Sequence, residues 1–137
     1  MKIITLSQSA AEKFTHHEKW AVISITSPGE DLVIFQCPNL QHALRLMFDD
    51  VNKIREGFRA FWRGDAEEVW DFYDTIKDDV DLLVIHCLMG QSRSPGIAAG
   101  LEKVLTGTDE VWFKTKLPNS RVHQAMVKVG MKRQKND

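Results

Sequence analysis

Cysteine is scarce in this chain: among 137 residues only Cys37 and Cys87 carry a thiol. Two are too few for a disulfide scaffold or for a zinc site built from four cysteines. An excess of one charge is also missing. Eighteen Lys+Arg stand against nineteen Asp+Glu, a formal net charge of -1. That excludes a strongly basic nucleic-acid binder and an acidic tail protein. No apolar run approaches the ~18–20 residues of a membrane span. The opening Met1-Lys2-Ile3-Ile4-Thr5-Leu6 lacks the long apolar core and small-residue cleavage site of a signal peptide. A reducing, cytoplasmic setting with free thiols is therefore expected. There is no repeat, no low-complexity stretch and no Pro/Gly linker, so one domain over residues 1–137 is expected, with a polar tail fraying from about Lys132. What is present is 43% apolar and 27% charged, the make-up of a globular chain with a core of its own.

Strand and helix patterns alternate along the chain. Ile3 to Leu6 reads as a strand, and Ser7 stands where a helix cap belongs, before a helical pattern from Gln8 to about Thr15. Trp20 to Ile25 is rich in strand formers and ends in the turn Ser27-Pro28-Gly29-Glu30-Asp31. Leu32 to Phe35 reads as a short edge strand, and Ala43 to Phe48 as a further strand running into Asp49 and Asp50. Val51 to Gly64 has no clear pattern. Asp65-Ala66-Glu67-Glu68 resembles a capping box, followed by a helix with Val69, Trp70, Phe72, Tyr73 and Ile76 on one broad face. Asp81 to His86 holds a continuous apolar run, the mark of a central strand buried on both sides. Ser94-Pro95 opens a helix that Gly107 closes; a short helix spans Asp109 to Lys114; Asn119 caps a last helix carrying Val122, Ala125, Met126 and Val129. This order predicts an α/β fold of three layers, αβα, with a central, mostly parallel sheet. In such sheets the ligand crevice lies at the carboxyl ends of the strands.

The segment after Ile85 carries the chemistry: His86-Cys87-Leu88-Met89-Gly90-Gln91-Ser92-Arg93-Ser94, placed between a buried strand and a helix start. A short loop curling into a helix N-terminus turns several backbone N–H groups inward, and with the helix dipole they form an anion cradle. Gly90 allows the curl where a Cβ would obstruct it. Arg93 offers a planar fork that clamps two oxygens of a phosphate. A thiol at the base of such a cradle is expected as thiolate, the nucleophilic form. Cradle, nucleophile and arginine together suit phosphoryl transfer through a cysteinyl-phosphate.

His-Cys-x5-Arg-Ser resembles the signature of the cysteine-dependent protein tyrosine phosphatase superfamily, nearest its small dual-specificity-like members. His86, Cys87, Arg93 and Ser94 match it, with Gly90 in the usual glycine position. Phe48-Asp49-Asp50-Val51 is similar to the strand end that carries the family's general acid, and Pro118-Asn119 to a pair opening its last helix. The resemblance covers roughly Ala21 to Val129; Met89 and Gln91 depart from the common choices without removing a catalytic part.

It implies that Cys87 attacks phosphorus, that Arg93 and the loop amides from Leu88 through Met89, Gly90, Gln91 and Ser92 hold the phosphoryl oxygens, that Ser94 helps the sulfur leave, and that His86 supports the loop from behind. An aspartate protonates the leaving group and then activates water. Adjacent strand residues point to opposite faces, so one of Asp49 and Asp50 aims at the pocket. The family pattern puts the acid just before the turn, which favours Asp50 and leaves Asp49 as the rival.

The function implied is hydrolysis of phosphotyrosine in proteins, with phosphoserine and phosphothreonine as further targets, needing no cofactor or metal. Partners would be a phosphorylated protein or a small phosphomonoester, with neither nucleic acid nor membrane expected and the oligomeric state open. Alternatives are a phosphoinositide or RNA 5′-phosphatase of the same superfamily, a non-catalytic phospho-binding module, and a sulfurtransferase. Loop residues Leu88, Met89, Gln91 and Ser92 carry no positive charge, which disfavours highly charged substrates. Taken singly, several of these residues have plainer readings: Cys87 a buried core thiol, Arg93 a surface ion pair, Asp50 a helix cap. Cys37 reads as an ordinary thiol beside Pro38, with a regulatory disulfide to Cys87 as the rival. Phe58, Phe61, Trp62, Trp70, Phe72 and Tyr73 read mainly as core, with a pocket wall near Phe58 to Trp62 as the alternative. Lys128, Lys132, Arg133 and Lys135 read as a solvated helix end.

Overall fold

The computed structural model describes residues 1–136. Their elements run β1 (Lys2–Ser7), α1 (Gln8–Glu12), β2 (Trp20–Thr26), β3 (Leu40–Met47), α2 (Arg63–Ile76), β4 (Leu82–Cys87), α3 (Arg93–Thr106), α4 (Glu110–Thr115) and α5 (Ser120–Lys135). The sheet has the order β1-β4-β2-β3, and each neighbouring pair is parallel. The two central strands, β2 and β4, are buried along their whole length, as their unbroken apolar runs require. No helix among the described residues is long and apolar enough to cross a membrane.

Two cores flank the sheet. Ala21, Ile23 and Ile25 of β2 and Leu83, Ile85 and Cys87 of β4 pack with residues of α2 to α5. The alternate residues Trp20, Val22, Leu82 and Val84 form the second core with Cys37, Phe14 and Phe35. The segment 32–37 is no edge strand. It keeps a strand's alternation, with Val33 and Cys37 buried and Ile34 outward, but has no ladder. Its inward side chains Phe35 and Cys37 instead pack in the second core on the sheet face. Cys37 and Cys87 therefore lie in cores on opposite faces of the sheet, which rules out a disulfide between them in this fold.

The helices also correct the expected boundaries. Ser7 caps α1 by accepting from the Ala10 amide at 3.2 Å, but the helix stops at Glu12 and Phe14 turns into the second core. In α2, Asp65 does not cap. The helix starts at Arg63, and the Asp65 carboxylate reaches back to accept from the Trp62 amide at 3.1 Å. Asp65 thus fills the reach-back position that had been expected of a glutamate three residues on. The helix α5 continues through Lys135 because Arg133 is tied to α2: it pairs with Asp71 at 2.9 Å and donates to the Glu67 carbonyl at 3.3 Å. Asp137 lies outside the described residues.

Close backbone packing sets α3 against α5. A Cβ on Gly100 would stand 2.3 Å from the Met126 Cβ, and one on Gly96 2.9 Å from that of Val122. This fit seats the N-terminus of α3 over the carboxyl end of β4, where the site forms.

Candidate active site

The loop Leu88–Ser92 leaves β4 and enters α3. Gly90 is required twice over. Its φ of 72 is in the left-handed region, and a Cβ would lie 2.8 Å from backbone atoms of Leu6 and Ser7. The Gln8 amide donates to the Leu88 carbonyl at 3.0 Å, which pins the loop to the end of β1. Within the curl, the Gly90 amide donates to the Cys87 sulfur at 3.2 Å. Ser94 places its hydroxyl 3.2 Å from the same sulfur. Among the described residues, no protein acceptor takes the amides of Leu88, Met89, Gln91, Ser92 or Arg93. Unclaimed N–H groups in a short loop beside a buried thiol are the elements from which an anion cradle can form.

Arg93 is the first residue of α3 and is buried. Its Nη1 donates to the Phe48 carbonyl at 2.9 Å and to the Ser27 hydroxyl at 3.0 Å. That anchors the guanidinium to the ends of β2 and β3. Its other nitrogens have no protein acceptor among the described residues.

The two aspartates part ways at the end of β3. Asp49 turns into its own loop, where its carboxylate and amide both meet Arg59 backbone, each at 2.7 Å. Arg59 in turn makes a two-pronged ion pair with Asp65 at 2.9 and 3.0 Å. Asp50 turns the other way. One of its oxygens accepts from the Ser92 hydroxyl and from the Asn119 side-chain amide, both at 2.8 Å. It is thus the aspartate set against the cradle, and it lines a cavity of about 350 Å³ beside it.

Three further polar residues hold the site: Ser27 and Ser24, which the sequence did not single out, and Asn119, expected as the cap of the last helix. Ser27 anchors Arg93. Ser24 holds His86, with Oγ 2.6 Å from Nε2. Asn119 joins three segments: its Oδ1 caps α5 by accepting from the Val122 amide at 3.1 Å, its side-chain amide also donates to the Val51 carbonyl at 3.2 Å, and its backbone amide donates to the Ser92 carbonyl at 2.9 Å. The aromatics divide as well. Phe61 is core and meets Phe48 edge-on with ring centres 4.9 Å apart. Phe58 and Trp62 are not core; they stand about half exposed.

His86 lies behind the cradle, fully buried. Its Nδ1–H donates to the Cys87 carbonyl at 3.3 Å, so Nε2 accepts from the Ser24 hydroxyl. Burial holds its pKa below the ordinary value of 6.5, with the nearby Arg45 and Arg93 charges acting in the same direction. The ring therefore serves as a neutral spacer. A histidine depressed in the folded state stays unprotonated below pH 6.5 while its unfolded counterpart takes up a proton, so its contribution to stability falls as pH drops through that range. We expect the melting temperature to fall more between about pH 7 and about pH 5 in the wild type than in His86→Asn. Equal falls would show that His86 does not carry the dependence.

No protein-family model matches the chain, and no curated protein does. Solved structures do. A single-residue variant of human DUSP28 matches with a TM-score of 0.65 at 14% identity, over 98% of this chain and 93% of its own. The human tyrosine phosphatase-like serine/threonine/tyrosine-interacting protein matches with a TM-score of 0.66 at 14% identity, over 93% of this chain and 90% of its own. PTPMT1 in complex with PI(5)P matches with a TM-score of 0.58 at 13% identity, over 86% and 80%. At such identities the likeness is one of architecture: a parallel four-stranded sheet flanked by helices. The chain has the fold of the small dual-specificity-like cysteine phosphatases.

Proposed function

We propose that the protein is a phosphomonoester hydrolase acting on phosphotyrosine in proteins, with phosphoserine and phosphothreonine as further substrates. The observation that carries the reading is the cradle: a buried thiol beneath unclaimed amides, flanked by Arg93 and Ser94 and faced by Asp50.

In the first step the Cys87 thiolate attacks phosphorus. The S–P bond forms as the ester P–O bond breaks, and Asp50 gives its proton to the departing oxygen. The loop amides and Arg93 hold the equatorial oxygens, whose charge is greatest in the transition state. In the second step Asp50, now a carboxylate, takes a proton from water. The water oxygen bonds to phosphorus, the S–P bond breaks, and Ser94 donates to the returning thiolate. Ser92 and Asn119 are positioning residues that aim the Asp50 carboxyl; His86 and Ser24 keep the loop's rear wall neutral and fixed.

The test is hydrolysis of an aryl phosphate in EDTA, with acid quenching of the reaction to trap a phosphorylated protein and map it to Cys87. Turnover without a trappable S-phosphate in wild type and in a variant slowed at the second step would overturn the covalent route. Loss of turnover in EDTA would overturn metal independence. Phosphoinositide hydrolysis is the second reading, favoured by the likeness to PTPMT1 in complex with PI(5)P. The uncharged side chains of the loop between Cys87 and Arg93 weigh against it.

A further inference from the structure

The cavity beside the cradle contains two charged side chains, Asp50 and Arg55, together with Asn52, Ser92, Leu117 and Asn119. Its volume of about 350 Å³ is that of a small-ligand site. Asp50 is already partnered by Ser92 and Asn119. The Arg55 side chain has no hydrogen bond or ion pair to protein among the described residues; its guanidinium lies over the Phe58 ring, 5.1 Å from the centre.

That placement is built by the backbone. The Phe58 amide donates to the Arg55 carbonyl at 3.2 Å, closing a four-residue turn. Gly57 supplies the φ of 84 that such a turn needs at its third position. The aromatic face then holds the cation at the cavity before a ligand arrives, so less side-chain freedom is lost when one binds.

We infer that this cavity is a second anion subsite in which Arg55 reads a carboxylate carried next to the phosphorylated residue of a peptide substrate. The inference rests on the phosphatase reading and names its substrate class. Asp50 is engaged by Ser92 and Asn119, which leaves Arg55 as the charged side chain of the cavity without a protein partner among the described residues. A lone guanidinium, planar and able to bond through two N–H groups, matches one carboxylate. A second phosphate, with nearly two charges, asks for more than one cation. Leu117 lines the cavity and stands exposed, as do Leu88 and Met89 of the loop, and they offer apolar contacts to a peptide.

The experiment compares kcat/KM for phosphotyrosine peptides that differ only in a Glu, Gln or Lys beside the phosphotyrosine, placed on either side. Wild type should prefer Glu to Gln by on the order of tenfold, a preference that shrinks in high salt because the site is open to solvent. Arg55→Gln should bring the ratio close to one, and Arg55→Lys should keep part of it. Arg55→Glu should turn the preference toward Lys, a reversal that a misfolded variant cannot produce. Equal rates for Glu and Gln peptides in wild type, or a preference that survives Arg55→Gln, would overturn the inference. So would discrimination among vesicle-borne phosphoinositides with none among peptides. If wild type hydrolyses no aryl phosphate, the catalytic reading fails on its own. The same peptide series is then read as binding affinity to Cys87→Ser, where a Glu preference dependent on Arg55 supports the subsite and its absence overturns it.

Discussion

Cys87→Ser should lower kcat for an aryl phosphate by on the order of 10⁴–10⁶ while leaving the cradle able to bind a tetrahedral oxyanion. Serine matches cysteine closely in volume, so the core around Ile85 and Ile97 has no reason to rearrange. What disappears is the nucleophile. A serine hydroxyl is a far weaker nucleophile than a cysteine sulfur, and among the described residues no general base stands beside this position: its neighbours are the Gly90 amide and the Ser94 hydroxyl. The check pairs steady-state turnover with calorimetric binding of tungstate. Lost turnover with retained binding identifies the sulfur as the attacking atom. Undiminished turnover would sink the mechanism, and loss of both would show that the substitution had damaged the loop.

The second large effect is at Asp50. Asp50→Ala should slow hydrolysis by a factor on the order of 10²–10⁴ for substrates whose leaving oxygen is strongly basic, and by much less for a nitrophenolate, which departs without a proton. Asp50→Asn should behave similarly, because an amide can keep the contact to Ser92 or Asn119 but cannot supply the proton. Dependence on the leaving group is what separates proton donation from loop support. Asp49→Ala should show no such dependence, since the Asp49 carboxylate is occupied by the Arg59 amide at 2.7 Å. A larger, leaving-group-dependent loss at Asp49 would move the general acid by one residue.

The family resemblance favours Asp50, but the residues around the two aspartates cannot by themselves separate them, for physical reasons. Their sequence neighbourhood is the same; what distinguishes them is the return of the chain at Arg59 and the arrival of Asn119 from 69 residues away. By contrast, the cradle was readable because its parts are local. A run buried on both faces, a glycine, an arginine and a helix start lie within one short stretch, and each obeys short-range rules. Ser24 was hidden for the opposite reason. It looks like one more small residue in the apolar strand Trp20–Thr26, and only the pairing Ser24↔His86 between β2 and β4 gives its hydroxyl a purpose. The segment 32–37 misled because alternation reports which side chains face inward, not whether a partner strand is available. Capping rules located the starts of α1 and α5 correctly, where Ser7 and Asn119 accept from amides three residues on. They misplaced α2 because an aspartate can serve either as cap or as the residue reaching back to it.

The contact between Gly90 and the end of β1 has a kinetic corollary. Among the described residues the strand β1 pairs only with β4, and their register joins Lys2 to Leu82, roughly eighty residues apart in sequence. Closing so long a loop is entropically slow compared with forming local helices. The cradle is held against backbone that arrives only when this closure is complete. During refolding, recovery of the proposed phosphatase activity should therefore lag recovery of the helical signal, making that activity a clock for the last and longest-range strand pairing in the sheet.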